Sequence, residues 1–352
     1  MKKILLLFLI ISTAIAAIPD GYYDNASGLS GTALRSALHN IVDGHTALSY
    51  TPGVWDAFLT TDLKANGKIW DIYSSYEYTW GTDQAGNYSA EGDVYNREHT
   101  WPQSLFNEAS PMKTDLFHIY PSDGYVNGWR SNYPYGETNS PTRTSTNGSK
   151  LGSARSGLGY SGTVFEPIDE YKGDLARSYF YMATRYYNED GNWDNWAMAD
   201  GVELKQWAVE MLLEWHEMDT VSSKELNRNE AIYALQHNRN PFIDHPEYIY
   251  YIWTDSIPSA MVGIPEDFKV GDAYPNPFNP RCTLPLELDR DSQIKISLFD
   301  ILGNERNVLF EGMMQSGHHY IDIDGSDLST GMYLIRVQDN NGSVLRKVLL
   351  IK

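Results

Sequence analysis

Apolar residues recur at helical intervals through the middle of the chain and at every second position near its C-terminal end. In residues 30–41, Leu34, Leu38 and Ile41 mark one helical face, with Thr32 as a candidate N-cap. Residues 54–63 read as a second short helix. Residues 173–187 carry Leu175, Tyr179, Met182 and Tyr186 on one stripe, and residues 202–216 place Trp207, Met211 and Trp215 at four-residue steps. A further helix over 223–237, opened by Ser222 or Ser223, is closed by Asn240-Pro241. Residues 68–73 alternate as a strand does, and 94–99 read as another. The stretch around Leu116, Phe117 and Ile119 suggests a half-buried strand, and Ser122-Asp123 caps a short helix over 126–130. Residues 133–160, rich in Ser, Thr, Gly and Asn, predict a long surface loop.

Beyond Asp255 the period changes. Residues 256–272 are linker-like, and Tyr274-Pro275-Asn276-Pro277-Phe278-Asn279-Pro280 opens a region of strands and turns. Residues 294–298, 319–323, 332–337 and 343–349 alternate, with Gly303-Asn304 and Asn341-Gly342 at turns. The expected fold class is α+β for residues 17–255, followed by a small all-β sandwich over 273–352. A chain of 352 residues is long enough for two such cores.

The first sixteen residues read differently from the rest. Met1-Lys2-Lys3, an apolar run over 4–11 and Ala14-Ile15-Ala16 form the basic start, core and cleavage site of a secretory signal. That run is too short to span a membrane, and nothing later is longer, so the mature chain is expected to be exported and without a transmembrane segment. Cys282 is the only cysteine, which excludes an intrachain disulfide and a cysteine-ligated zinc site. Stability must therefore come from burial, to which 10 Trp and 25 Tyr contribute. A net charge of −19 argues against a broad basic surface that clings to nucleic acid. Between Val126 and Arg155 the balance reverses, with Arg130, Arg143, Lys150 and Arg155 against Glu137 alone. That stretch reads as a solvated loop or as a phosphate contact.

The chemistry concentrates in Asn96-Arg97-Glu98-His99-Thr100-Trp101-Pro102, then Asp115-Leu116-Phe117-His118-Ile119-Tyr120-Pro121, then Asn127-Gly128-Trp129-Arg130-Ser131-Asn132. Phosphodiester hydrolysis needs an activated water and neutralisation of developing charge. Glu98 and Asn127 are oxygen donors of the kind that hold magnesium, and His99 is the kind of side chain that takes a proton from water. Strand neighbours point to opposite faces, so Glu98 and His99 would need a local twist to converge.

With its three motifs in this order, the chain resembles the bacterial endonuclease I family, whose core is a ββα-metal (His-Me) finger. The resemblance runs over roughly residues 20–255 and continues in Gly162-Thr163-Val164-Phe165-Glu166-Pro167, Trp215-His216-Glu217-Met218-Asp219 and Asn238-Arg239-Asn240-Pro241-Phe242. It implies His99 as general base and Glu98 and Asn127 as ligands of magnesium, with manganese or calcium as substitutes. It also implies hydrolysis of DNA and RNA without base specificity, leaving 5′-phosphate ends. Arg130 and Arg177 are the candidates for holding a phosphate; each reads equally as a structural ion-pair partner, Arg177 with Asp174 for instance. His118 reads as a group that orients His99, as a ligand, or as a satisfied core histidine. His216, Asp244 and His245 read as fold-maintaining. Two positions depart from relatives: Tyr95 stands where many have a cysteine, and Lys113 is the only basic residue between His99 and Asn127.

The Tyr-Pro-Asn-Pro-Phe-Asn-Pro start, Leu298-Phe299-Asp300-Ile301-Leu302-Gly303 and Gly331-Met332-Tyr333-Leu334-Ile335 resemble a type IX secretion sorting domain. This implies that the secretion machinery is a partner and that the protein ends up secreted or at the cell surface. From another class, the alternative is a non-catalytic extracellular protein that holds nucleic acid or polysaccharide on its aromatics.

Overall fold

The structure, a computed structural model, describes residues 18–253, 268–271, 273–300, 305–339 and 343–352. The signal segment and most of the expected linker lie outside the described residues. The chain divides into two compact units, residues 1–253 and 254–352.

The first unit begins with α1 (Gly31–Val42) and α2 (Gly53–Thr61). A two-stranded antiparallel ladder follows, β1 (Tyr95–His99) with β2 (Ile119–Asp123), and α3 (Gly124–Arg130) leaves directly from its end. A three-stranded sheet comes next, β3 (Ser140–Thr144), β4 (Lys150–Ser153) and β5 (Thr163–Glu166). The long helix α4 (Asp169–Arg185) then runs through the middle of the unit, buried from Tyr171 to Arg185. Asp169 and Glu170 in its first turn complement the helix dipole. Gly173 weakens a helix interior by about 1 kcal/mol relative to alanine, but a Cβ there would strike the Asp219 carbonyl. A minimal ladder, β6 (Ala199–Asp200) with β7 (Glu203–Leu204), precedes α5 (Gln206–Met218), α6 (Ser223–Gln236), α7 (Pro241–Asp244) and α8 (Tyr248–Trp253). Helix α6 starts in a capping box: the Ser222 hydroxyl accepts from the Glu225 N–H at 3.2 Å, and Glu225 accepts from the Ser222 N–H at 3.0 Å.

Several expected elements take other forms. Residues 68–73 make isolated bridges at Ile69 instead of a strand, because Asp71 draws the backbone N–H of Tyr73 into a side-chain turn. Leu116–His118 is a 3-10 turn whose N-cap is Asp115, and β2 begins only after it. The expected surface loop holds the β3–β4 hairpin, whose second strand pairs with β5 just beyond the loop. Asn240 opens α7, accepting from the Phe242 N–H at 3.0 Å, while α6 ends before it, at Gln236 with His237 in the left-handed region as its C-cap.

The second unit is a sandwich. Strands β8 (Phe268–Val270), β9 (Arg281–Leu288) and β12 (Gly317–Asp324) form one sheet. Strands β10 (Ser292–Asp300), β11 (Glu305–Met314), β13 (Gly331–Gln338) and β14 (Ser343–Leu350) form the other. Leu284, Leu286 and Ile323 of the first sheet share a core with Ile296, Ile335 and Val348 of the second. Strand β8 lies inside the stretch expected as linker, where Phe268 and Val270 supply alternate buried positions. Among the described residues, no helix is long and apolar enough to cross a membrane.

Candidate active site

The ladder β1–β2 and helix α3 carry all three residues of the sequence motif. Tyr95 pairs with Asp123 at one end and His99 with Ile119 at the other, with no irregularity between. Asp123 fastens the helix to the ladder: its Oδ1 accepts from the N–H groups of Tyr125 at 2.8 Å and Val126 at 2.9 Å. Its Oδ2 accepts from the Gly92 N–H at 2.7 Å and from the Tyr78 hydroxyl. Behind it, Asp71 accepts from the Asp123 N–H at 2.9 Å. Burial pushes the Asp71 carboxyl up to about 7, against its hydrogen bonds from Ser74, Tyr73 and Asp123.

Glu98 and His99 are both buried and have separate neighbours. Glu98 is buried, and its Oε1 is held by Arg130 at 3.0 Å and by the Tyr73 hydroxyl at 2.8 Å, with the Tyr135 hydroxyl at 3.4 Å. No described residue donates to its Oε2. Burial raises the Glu98 carboxyl above the ordinary value, opposed by the Arg130 charge and the two tyrosines. The His99 ring lies 5.9 Å from the Tyr50 ring and 5.4 Å from the His118 ring. Its Nε2–H donates to the Lys113 carbonyl at 3.1 Å, which leaves Nδ1 as the lone-pair nitrogen. Burial, reinforced by His118, pushes His99 down to about 3, so the ring is neutral at physiological pH.

Asn127 projects from α3 and donates its amide to the Arg97 carbonyl at 3.4 Å. That bond fixes which end of the amide is nitrogen and leaves Oδ1 without a protein donor. The guanidinium of Arg97 lies 3.5 Å from the Tyr50 ring centroid and 4.3 Å from that of Trp55, and donates to the Tyr50 carbonyl and, at 3.1 Å, to the Thr51 hydroxyl.

The two arginines named as phosphate candidates are turned inward. Arg130, 1% exposed, pairs with Glu98 and donates to the carbonyls of His99 at 3.1 Å and Thr100 at 2.5 Å. Arg177 is wholly buried in a two-pronged bond to Glu225 at 2.6 and 2.8 Å, with Asp174 at 3.7 Å and His216 Nδ1 at 3.0 Å. Neither guanidinium is open to a phosphate; both act as internal ion-pair partners, because their carboxylates share the same dry core. His118 does not hydrogen-bond to His99. It donates from Nε2 to the Met112 carbonyl at 2.8 Å, and burial holds its proton affinity below the usual histidine value. The ring that orients His99 is thus no ring at all but the Lys113 main chain. Lys113 itself turns its ammonium to Glu108.

Tyr73, Tyr135 and Asp71 were missed by sequence reasoning. They stand far from the motif along the chain and carry no spacing signal; in a chain 13% aromatic they read as core. Among the described residues, one further cluster brings potential ligand atoms of His39, Asp43 and Glu189 within 4.8 Å. Arg185 already supplies a cation there, 2.8 Å from Asp43 and 2.9 Å from Glu189.

Residues 30–247 match the family described as Endonuclease I, and residues 272–352 match the one described as a secretion system C-terminal sorting domain. The chain is 42% identical to an extracellular ribonuclease of Bacillus amyloliquefaciens, over 68% of this chain and 80% of the relative. It is 38% identical to an extracellular ribonuclease of Bacillus subtilis, over 69% of this chain and 83% of that one. An endonuclease-1 of Buchnera aphidicola is 28% identical over 38% of this chain and 46% of its own. With the sorting domain at its end, the molecule is a secreted or cell-surface nuclease. The chain belongs to the endonuclease I family.

Proposed function

We propose that the protein hydrolyses phosphodiester bonds through a ββα-metal (His-Me) finger formed by β1, β2 and α3, with His99 as general base and Glu98 and Asn127 as ligands of one magnesium ion. The observation that carries this reading is the state of His99: neutral, with Nε2–H tied to the Lys113 carbonyl and Nδ1 left to receive a proton. Glu98 Oε2 and Asn127 Oδ1 receive no donor from any described residue, and hard oxygens of this kind suit magnesium, with manganese or calcium as substitutes. A bound cation would neutralise charge on the phosphoryl group and on the departing 3′ oxygen. His99 takes the proton of the attacking water at Nδ1, and the Lys113 carbonyl stabilises the imidazolium through Nε2–H. Arg130 and the two tyrosines hold the Glu98 carboxylate in place from behind. Arg97, adjoining Glu98 and without a carboxylate partner among the described residues, is the guanidinium best placed to meet the reacting phosphate.

The ribonuclease relatives, which match most of their own length, favour RNA as substrate, with DNA cut as well. Contacts should fall on phosphate and sugar and leave 5′-phosphate ends. The sorting domain would deliver the enzyme through the type IX machinery after the signal segment has acted.

The test is incubation of the protein with RNA and with supercoiled plasmid, with magnesium and with excess chelator. Cleavage should vanish in chelator and return when magnesium is restored in excess. Cleavage that persists in chelator, or no cleavage of either polymer, overturns the proposal; the second result would point to a nucleic-acid-binding protein.

The acid limb of the activity provides a second check. Protonation of Glu98 removes the charge that binds the cation, so activity falls as pH drops through its raised value. His99 stays neutral down to about 3 and does not set this limb. Proton and metal then compete, and excess magnesium should move the limb to lower pH. A limb that does not respond to magnesium would assign it to a group away from the metal.

A further inference from the structure

In residues 18–253, every arginine but two has a carboxylate within 4.0 Å. Within the locally basic stretch, Arg130 pairs with Glu98, Lys150 with Glu166 at 3.6 Å, and Arg155 with Glu137. The two exceptions are Arg97, already placed at the site, and Arg143. In a chain with 46 acidic side chains against 27 Lys and Arg, Arg143 stands on β3, where all five residues are exposed, and its side chain has no acidic partner and no hydrogen bond to any described residue.

One contact of that side chain is informative. The Arg143 guanidinium lies 5.5 Å from the Trp129 ring centroid. Trp129 is in α3, two residues beyond Asn127, and its indole N–H has no acceptor among the described residues. On another face of the same helix, Gly124 and Gly128 let the Tyr88 ring lie close: a Cβ would come within 2.9 Å of it at Gly124 and 3.2 Å at Gly128. Tyr88 is nevertheless 40% exposed. The short helix that carries the proposed metal ligand is therefore flanked by aromatic surface and one uncommitted cation.

We propose that Arg143 and Trp129 form a subsite for single-stranded nucleic acid beside the reacting centre, the guanidinium binding a backbone phosphate and the indole carrying a base. This rests on the function proposed above. A planar cation with five donors matches a phosphate, and an aromatic face accepts any base without reading its identity. A base inside a duplex cannot reach such a face, which is why the subsite selects single strands. With a net charge of −19 repelling the polymer as a whole, attachment must depend on a few local cations such as this one.

The experiment measures anisotropy of a fluorescein-labelled oligothymidylate with magnesium across a salt series, on the full chain carrying His99→Ala so that the probe survives. Adding Arg143→Ala should weaken binding by roughly three- to tenfold and lower the slope of log affinity against log salt by about 0.7, one phosphate on a single strand. Arg143→Lys should recover the slope. Trp129→Leu should weaken binding with the slope unchanged. In the cleaving protein, Arg143→Ala should raise KM by the same factor as it weakens binding, with an unaltered melting temperature. Unchanged affinity and slope in Arg143→Ala, in a protein that still cleaves RNA or DNA with magnesium, overturns the subsite and leaves the function standing. A duplex probe with the same dependence on Arg143 overturns the single-strand assignment. A parent that neither cleaves nor binds removes the function and the subsite together.

Discussion

Replacing His99 by alanine should lower kcat for RNA or plasmid cleavage by about 10²–10⁴-fold, the usual contribution of a positioned general base. The ring donates one hydrogen bond, to the Lys113 carbonyl, and its other nitrogen has no partner among the described residues. Its loss leaves that carbonyl unpaired and a small void beside Tyr50 and His118, at a cost of about 1–3 kcal/mol. The fold should therefore survive, and far-UV circular dichroism with a thermal melt shows whether it does. His99→Gln is the companion variant, since its amide can keep a donor near the Lys113 carbonyl while offering no basic nitrogen. Both variants should be slow, while binding of an oligonucleotide with magnesium is retained. If folded His99→Ala cuts at the parental rate, the general base is another group.

Arg130→Ala should have the larger effect on stability. It removes the guanidinium that faces Glu98 at 3.0 Å and takes one donor each from the carbonyls of His99 and Thr100, the second of which keeps the Tyr179 hydroxyl at 2.7 Å. Removing one partner of a buried ion pair costs roughly 3–5 kcal/mol, because the remaining charge stays in the core uncompensated. Cleavage should fall with it, since Glu98 loses the group that fixes Oε1 and presents Oε2. The result separates two roles for this arginine. An internal brace loses melting temperature and activity together, and Arg130→Lys recovers only part of each, because one ammonium cannot reach three acceptors in a fork. A phosphate clamp would keep the melting temperature and raise KM. Denaturation by urea alongside steady-state kinetics distinguishes the two.

The elements that local pattern dictates were legible from the chain. The amphipathic stripe over 173–187 marks α4, whose observed span starts earlier at Asp169 because Asp and Glu serve its first turn as well as an apolar residue would. The cap at Asp123 was legible as well, since an acceptor before a helix has a local partner. In the C-terminal unit, alternation identified the strands, yet β8 was absorbed into the linker because three residues carry too little pattern to stand out.

The candidate site divides along the same line. Residue identity and order alone picked out Glu98, His99 and Asn127, because their chemistry lies in the side chains themselves and each sits in a short motif of its own. What each polar group faces was not legible. Arg130 and Arg177 have the same formal charge as Arg97 and Arg143, and nothing in the local text separates a buried brace from an open cation. Only the tertiary structure decides it, by bringing Glu98 and Glu225 into the core, where an unpaired carboxylate is costly and an arginine must answer it. The tautomer of His99 follows from a main-chain carbonyl fourteen residues away, and the Glu98 cage from hydroxyls 25 and 37 residues distant. Composition and motif determined the reaction class and the address. Packing determined which of these charges remain available to a substrate, because burial selects partners by proximity in space, and sequence spacing does not record it.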